Sequence, residues 1–142
     1  IRSSVHDLRD DAVNLDEAVR SLIDDFTFCP VTYCYDAGRV IPRDVKYSFI
    51  SITKEALSNI MRHSNASKVS VTIREHSALY QLCIEDNGTK VRNSAGNSPV
   101  AENGMGLANM KERTDKLHGT IHISAEDGFR ILVTIPKKET SL

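Results

Sequence analysis

Within EALSNIMRHSN (55–65), Glu55, Asn59 and Arg62 are spaced by four and three residues. At about 100° of turn per residue, a helix puts that carboxylate, amide and guanidinium on one face. His63 follows directly, and Phe49, Ile50, Ala56, Leu57, Ile60 and Met61 spread over the opposite side. Such a face either meets water or meets something that needs an anion, an amide and a cation together. Two further stretches carry comparable groups. In EDNG (85–88) a strand pattern ends in an acid, Asp86, ahead of a flexible turn containing Gly88, although DNG alone is a common hairpin signal. In NGMGL (103–107), Gly104 and Gly106 precede a helical pattern. Free N–H groups and a favourable dipole at that helix start would suit an anion, while simple loop flexibility accounts for the glycines equally well.

The elements that must position these groups follow from periodicity. Val5, Leu8 and Ala12 fall at helical spacing in residues 3–13, and NLDEAVRSLIDDF (14–26) predicts a helix with Asn14 as N-cap and Glu17 three residues on. Its apolar stripe is Leu15, Ala18, Val19, Leu22 and Phe26. A strand is predicted over 30–36, a long helix over 43–64, and two strands over 67–75 and 79–86 joined by a short turn. Val69, Val71 and Ile73 should share the core face with Leu82 and Ile84. The pattern dissolves from Asn87 to Asn103, a length that marks functional lids or disorder. It resumes with a helix over 107–118, for which Gly119 is a natural C-cap. Strands over 120–126 and 129–136 then form a hairpin around Asp127-Gly128 before a polar tail. The order predicts an α/β two-layer sandwich, a mixed and largely antiparallel sheet covered on one face by helices.

The chain has 142 residues, 40% of them hydrophobic, which suits one domain with a sizeable core. With 18 basic against 19 acidic residues there is no basic excess to recommend nucleic acid or a membrane surface as partner. No apolar run approaches the roughly 20 residues that span a bilayer, and no signal-peptide pattern is visible at the start. Cys29, Cys34 and Cys83 lack paired C-x-x-C spacing and are expected to be buried thiols in a reducing compartment rather than metal ligands. Beginning at Ile1 inside a helical pattern, without an initiator Met, the sequence is expected to be part of a longer protein.

In their order and spacing the three motifs resemble the nucleotide-binding boxes of the ATPase superfamily shared by histidine kinases, gyrase, HSP90 and MutL. The likeness is strongest to the catalytic domain of two-component sensor histidine kinases of the nitrate-sensor and DesK-like type. Their helix box has the form E-A-L-x-N-x-x-[KR]-H, which EALSNIMRH fits. The resemblance covers roughly residues 31–136. It implies a Bergerat-type ATPase fold over 27–142, with residues 1–26 as the end of a dimerisation helix and a linker helix. It implies Mg-ATP as cofactor: Asn59 as the Mg²⁺ ligand, Glu55 as a base or a holder of metal-bound water, and Arg62 and His63 as phosphate contacts. Hard Mg²⁺ takes oxygen ligands, and cations offset charge in phosphoryl transfer. Asp86 would accept from the adenine amino group beside Gly88, and Gly104, Gly106 and Leu107 would bind the phosphates at a helix start. Residues 89–103 would close as a lid. The family's D-x-G-x-G is here DNGTK, so Lys90 replaces the second glycine and the loop's entry must differ. His6 fits the end of the second dimerisation helix better than a phosphoacceptor box.

The implied activity is protein-histidine kinase: transfer of the γ-phosphoryl of ATP to a histidine on a separate dimerisation domain, then to a response regulator. The implied full-length protein is a homodimer through helices upstream of this chain. A cytoplasmic location is implied, in a full-length protein either free or membrane-anchored. No nucleic acid and no direct membrane contact are expected for this part. An anti-sigma-factor-like serine kinase, or a nucleotide-free interaction module of the same fold, are the alternatives.

Overall fold

The computed structural model describes residues 13–38, 40–89, 104–125 and 128–137. His6 with the rest of residues 1–12, Lys90 with the predicted lid beyond Thr89, Asp127 of the predicted hairpin turn, and the polar tail from Lys138 lie outside the described residues.

Helix α1 spans Leu15–Asp25. Asn14 is extended, and its Oδ1 accepts from the Glu17 N–H at 2.9 Å, while Asp16 and Glu17 sit where the helix dipole favours anions. Strand β1 (Val31–Asp36) leads to α2 (Arg43–His63), which starts after Pro42 and carries Arg62 and His63 in its last turn. Strands β2 (Val69–Glu75) and β3 (Leu79–Asp86) follow, then α3 (Gly104–Lys116), β4 (Thr120–Ser124) and β5 (Phe129–Pro136).

The five strands form one sheet in the order β1-β2-β3-β5-β4, with β1 parallel to β2 and every other pair antiparallel. Register places Val71, Ile84 and Ile131 in one row and Ile73, Leu82 and Val133 in the next. All six are at most 1% exposed beneath the helices. Fully burying one such side chain is worth about 1.5–3 kcal/mol, so a one-residue slip that turned them outward would cost more than the domain can lose. Phe49, Ile52, Ile60 and Met110 close the core from α2 and α3. Leu15 and Val19 bring α1 into the same cluster.

Several boundaries differ from the sequence expectation for local reasons. Strand β2 starts at Val69 rather than 67, because the Ser67 and Lys68 N–H groups donate to Asn87 Oδ1 at 2.9 and 3.0 Å, outside the ladder. Helix α3 takes in both glycines and begins at Gly104. It ends in a 6→1 bond from Gly119 N–H to the Thr114 carbonyl (2.9 Å) and a 5→2 bond from His118 N–H to the Asp115 carbonyl (2.9 Å). That is a Schellman closure with the left-handed residue at His118 (φ 60°), not at Gly119. Gly119 is needed for room, since a Cβ there would collide with the Thr134 carbonyl. The cysteines are not buried: Cys34 is exposed on β1, and Cys29 and Cys83 are half-buried. Met61 is 50% exposed, away from the apolar side expected for it.

Candidate functional site

The last three turns of α2 carry the polar face. Asn59 is only 5% exposed, and its Oδ1 accepts from Arg62 Nη2 at 3.1 Å. The same guanidinium nitrogen lies 3.9 Å from Glu55 Oε2, so one cation spans the amide and the carboxylate. Both charged groups reach solvent, so the pair contributes little stability and its effect is orientation. Among the described residues the buried Asn59 Nδ2 has no hydrogen-bond partner. An unsatisfied buried donor costs about 1–3 kcal/mol, which a ligand oxygen would recover. His63, half-buried on the same face one turn beyond Asn59, makes no hydrogen bond or ion pair among the described residues.

Asp86 follows Tyr80, Leu82 and Ile84 along the helix-facing side of β3, in register with Val69 and Phe129. It is therefore a carboxylate at an apolar position, 5% exposed. Its Oδ1 accepts from the Gly88 N–H at 2.8 Å. Its charge also reaches Cys29, whose thiol is pushed up first by burial and then by Asp86. Gly88 has less freedom than a turn glycine implies, because a Cβ there would press on Ser64 Oγ, Asn65 Oδ1 and Asp86 Oδ1. Thr89 N–H donates to Asn65 Oδ1 at 2.9 Å, and Asn87 Oδ1 takes the two N–H groups ahead of β2. The acid's turn is thus stapled to the segment that leaves α2.

At the other end of the polar face, Gly106 lies against Glu55, and a Cβ there would collide with the carboxylate. Gly104 opens the same helix turn, whose first N–H groups have no partner within the helix. The Leu107 side chain is 3% exposed and belongs to the core, leaving its backbone as the part able to meet a ligand. Beside Glu55 and Gly106 a cavity of about 330 Å³ opens, with Lys54, Ser58, Asn109 and Arg113 on its walls.

Helix α2 and the segment that leaves it therefore join the three motifs: Glu55 meets the α3 start, and Ser64 and Asn65 meet the Asp86 turn. Nine residues separate Glu55 from Ser64, about 13 Å of helix rise. Sequence reasoning missed Ser64, Asn65 and Thr89. Asn65 and Asn87, residues prone to bind neighbouring backbone, were the available signal. Among the described residues no group of three or more His, Cys, Asp or Glu converges. A cation at Asn59 would thus draw most of its ligands from phosphate and water, which suits a hard ion such as Mg²⁺.

Residues 45–139 match the family described as histidine kinase-, DNA gyrase B- and HSP90-like ATPase. The nitrate/nitrite sensor protein NarX of Escherichia coli is 32% identical over 103 residues, covering 70% of this chain and 17% of that protein. The sensor protein VraS of Staphylococcus aureus is 36% identical over 104 residues, covering 71% and 29%. This chain thus spans less than a third of the length of either. Among solved structures, the Acinetobacter baumannii histidine kinase AdeS superposes with TM-score 0.63 at 18% identity, over 87% of this chain and 64% of that one. The blue-light activated histidine kinase of Erythrobacter litoralis gives 0.66 at 17% identity, over 86% and 40%. At those identities the structures speak for the fold alone.

Proposed function

Because this chain belongs to the histidine kinase-, DNA gyrase B- and HSP90-like ATPase family, we propose that it is the ATP-binding catalytic domain of a sensor histidine kinase. The observation that carries the proposal is the buried Asn59 amide, its N–H unpaired among the described residues, on a helix that reaches from the Gly106 turn to the Gly88 turn. In this reading Asp86 accepts a hydrogen bond from the adenine amino group, and the triphosphate runs along α2 towards the first turn of α3. Gly104, Gly106 and the backbone of Leu107 face phosphate oxygens there. Asn59 offers its remaining Oδ1 lone pair to Mg²⁺, which when bound neutralises charge on the phosphate oxygens. Arg62 and His63 contact phosphate, and Glu55 orients water or accepts a proton as the acceptor histidine attacks. The bond from the γ-phosphorus to the bridging oxygen breaks, a bond from that phosphorus to an imidazole nitrogen forms, and ADP leaves. Most of the rate comes from positioning and charge stabilisation.

The acceptor histidine belongs to a separate helical dimerisation domain of a homodimeric protein, and an aspartate of a response regulator receives the group next. We assign residues 27–142 to the catalytic unit and 1–26 to the end of the dimerisation helix and the linker. Burial of Leu15 and Val19 supports a linker helix that rides with the catalytic unit. Transfer takes place on the cytoplasmic side. No helix among the described residues is long and apolar enough to cross a membrane.

Calorimetric titration with Mg-ATP tests the reading on the native chain, Asn59→Asp and Asp86→Asn. Each lost charge-assisted hydrogen bond is worth about 1.5–3 kcal/mol, so both variants should bind roughly ten- to a hundredfold more weakly. A native chain that takes up no Mg-ATP contradicts the proposal.

A further inference from the structure

We propose that Gly106 is a positioning residue for Glu55: its missing side chain is the seat of the Glu55 carboxylate, and α3 thereby sets where that carboxylate stands during phosphoryl transfer. The inference rests on the kinase reading and deepens it.

Glycine is not needed at 106 for its backbone. Gly106 lies inside α3, and the described glycine with positive φ is Gly128. Helix propensity does not call for glycine there either, since Ala is the better helix former. The structure shows what does. A Cβ at Gly106 would collide with Glu55 Oε2 while standing 2.8 Å from Cδ and 3.3 Å from Cγ. The two outer atoms stand too close and Cγ is tight, so the end of the Glu55 side chain must shift for a Cβ to fit. At Gly38, by contrast, a Cβ would meet only Glu75 Oε1, at 3.1 Å.

The seat also has a favourable charge. Gly106 in the first turn of α3, where the helix dipole is positive, lies against the carboxylate, and Arg62 Nη2 stands 3.9 Å from it. Glu55 is thus bracketed by a helix start and a guanidinium, both of which also face the phosphates in the proposed complex. Removing one wall of the bracket should displace the carboxylate without removing a phosphate contact. A misplacement of about 1 Å costs about a hundredfold in rate.

The test is a double-mutant cycle in Gly106→Ala, Glu55→Ala, Glu55→Asp and their combinations, read by thermal melts, Mg-ATP calorimetry and the rate of transfer from Mg-ATP to the acceptor histidine in the full-length protein. Gly106→Ala should lower Tm in the native background and raise it in the Glu55→Ala background, where the obstruction is gone and Ala favours helix. Gly106→Ala should also slow that transfer, by up to about a hundredfold, and by more than it weakens Mg-ATP binding. Adding the shorter Glu55→Asp should restore part of that loss. Equal loss of Tm in both backgrounds, or a fall in Mg-ATP affinity that matches the fall in transfer rate, overturns the proposal. A native chain that fails to bind Mg-ATP removes the kinase reading alone, and the melting cycle still decides whether Gly106 seats Glu55.

Discussion

Two buried polar atoms on α2 lack partners among the described residues, and they mean different things. Asn59 Nδ2 belongs to the face shared with Glu55 and Arg62, where a ligand can complete it. Thr53 is 0% exposed, and its Oγ1 is equally unpaired. Thr114, just as buried, shows the usual solution, with its hydroxyl donating to the Met110 carbonyl one turn back at 2.8 Å. Replacing the Thr53 hydroxyl by a methyl group should therefore stabilise the chain. We expect Thr53→Val to raise stability by about 1 kcal/mol, seen as a higher denaturant midpoint at unchanged slope. A lower midpoint would mean the hydroxyl is satisfied after all. From the sequence, Thr53 could not be told from a packing residue and Asn59 could not be told from a solvated one, because burial is not written in helical spacing.

Among the elements, α1 is held by more than its apolar stripe. The Tyr33 hydroxyl on β1 donates to Asp16 Oδ1 at 2.7 Å, Arg20 Nε reaches the same oxygen at 3.0 Å, and the Arg20 guanidinium lies over the Tyr33 ring at 5.2 Å. Burial first, and the Asp16 hydrogen bond next, push the Tyr33 phenol above its ordinary range, so this donor stays protonated at any ordinary pH. Tyr33→Phe should loosen α1 by about 1–2 kcal/mol, measured as faster hydrogen exchange of α1 amides with those of β2 and β3 little changed. Uniform acceleration across the sheet would refute a local role. Strands β1, β3 and β5 were legible to within one residue, β1 from its alternation of β-branched and aromatic residues and β5 from its apolar run. The start of α3 was not: a glycine pair has low helix propensity, and here packing against α2 overrides it.

At the scale of the whole molecule, the end opposite Asp86 is closed by one carboxylate. Glu75 Oε1 accepts from the Gly38 N–H at 2.7 Å and Oε2 from Lys137 Nζ at 2.7 Å, tying the β1–α2 loop, β2 and the end of β5 together. The Lys137 hydrogen bond, and then the Gly38 N–H, hold the Glu75 carboxyl below the usual carboxylate range. A depressed folded-state pKa contributes stability that is complete above the unfolded value of about 4.3 and fades as pH falls through the lower folded value. Glu75→Gln should cost about 1 kcal/mol at neutral pH, with the gap to the native chain closing below about pH 4. Its Mg-ATP affinity should match the native chain's. A gap that persists in acid would show that the ion pair is not what the closure uses.

Alternation, helical spacing and the three motifs in their order were enough to infer the sandwich, its mixed sheet and the residues to look at, since these depend on local geometry that repeats along the chain. Which side chains are shielded from water, the α2 segment stapled to the Asp86 turn, and the glycine that makes room for a carboxylate came from distant parts packing together. Contacts such as Gly106 with Glu55 join residues 51 positions apart, and nothing in the local chemistry of either one encodes the other's position.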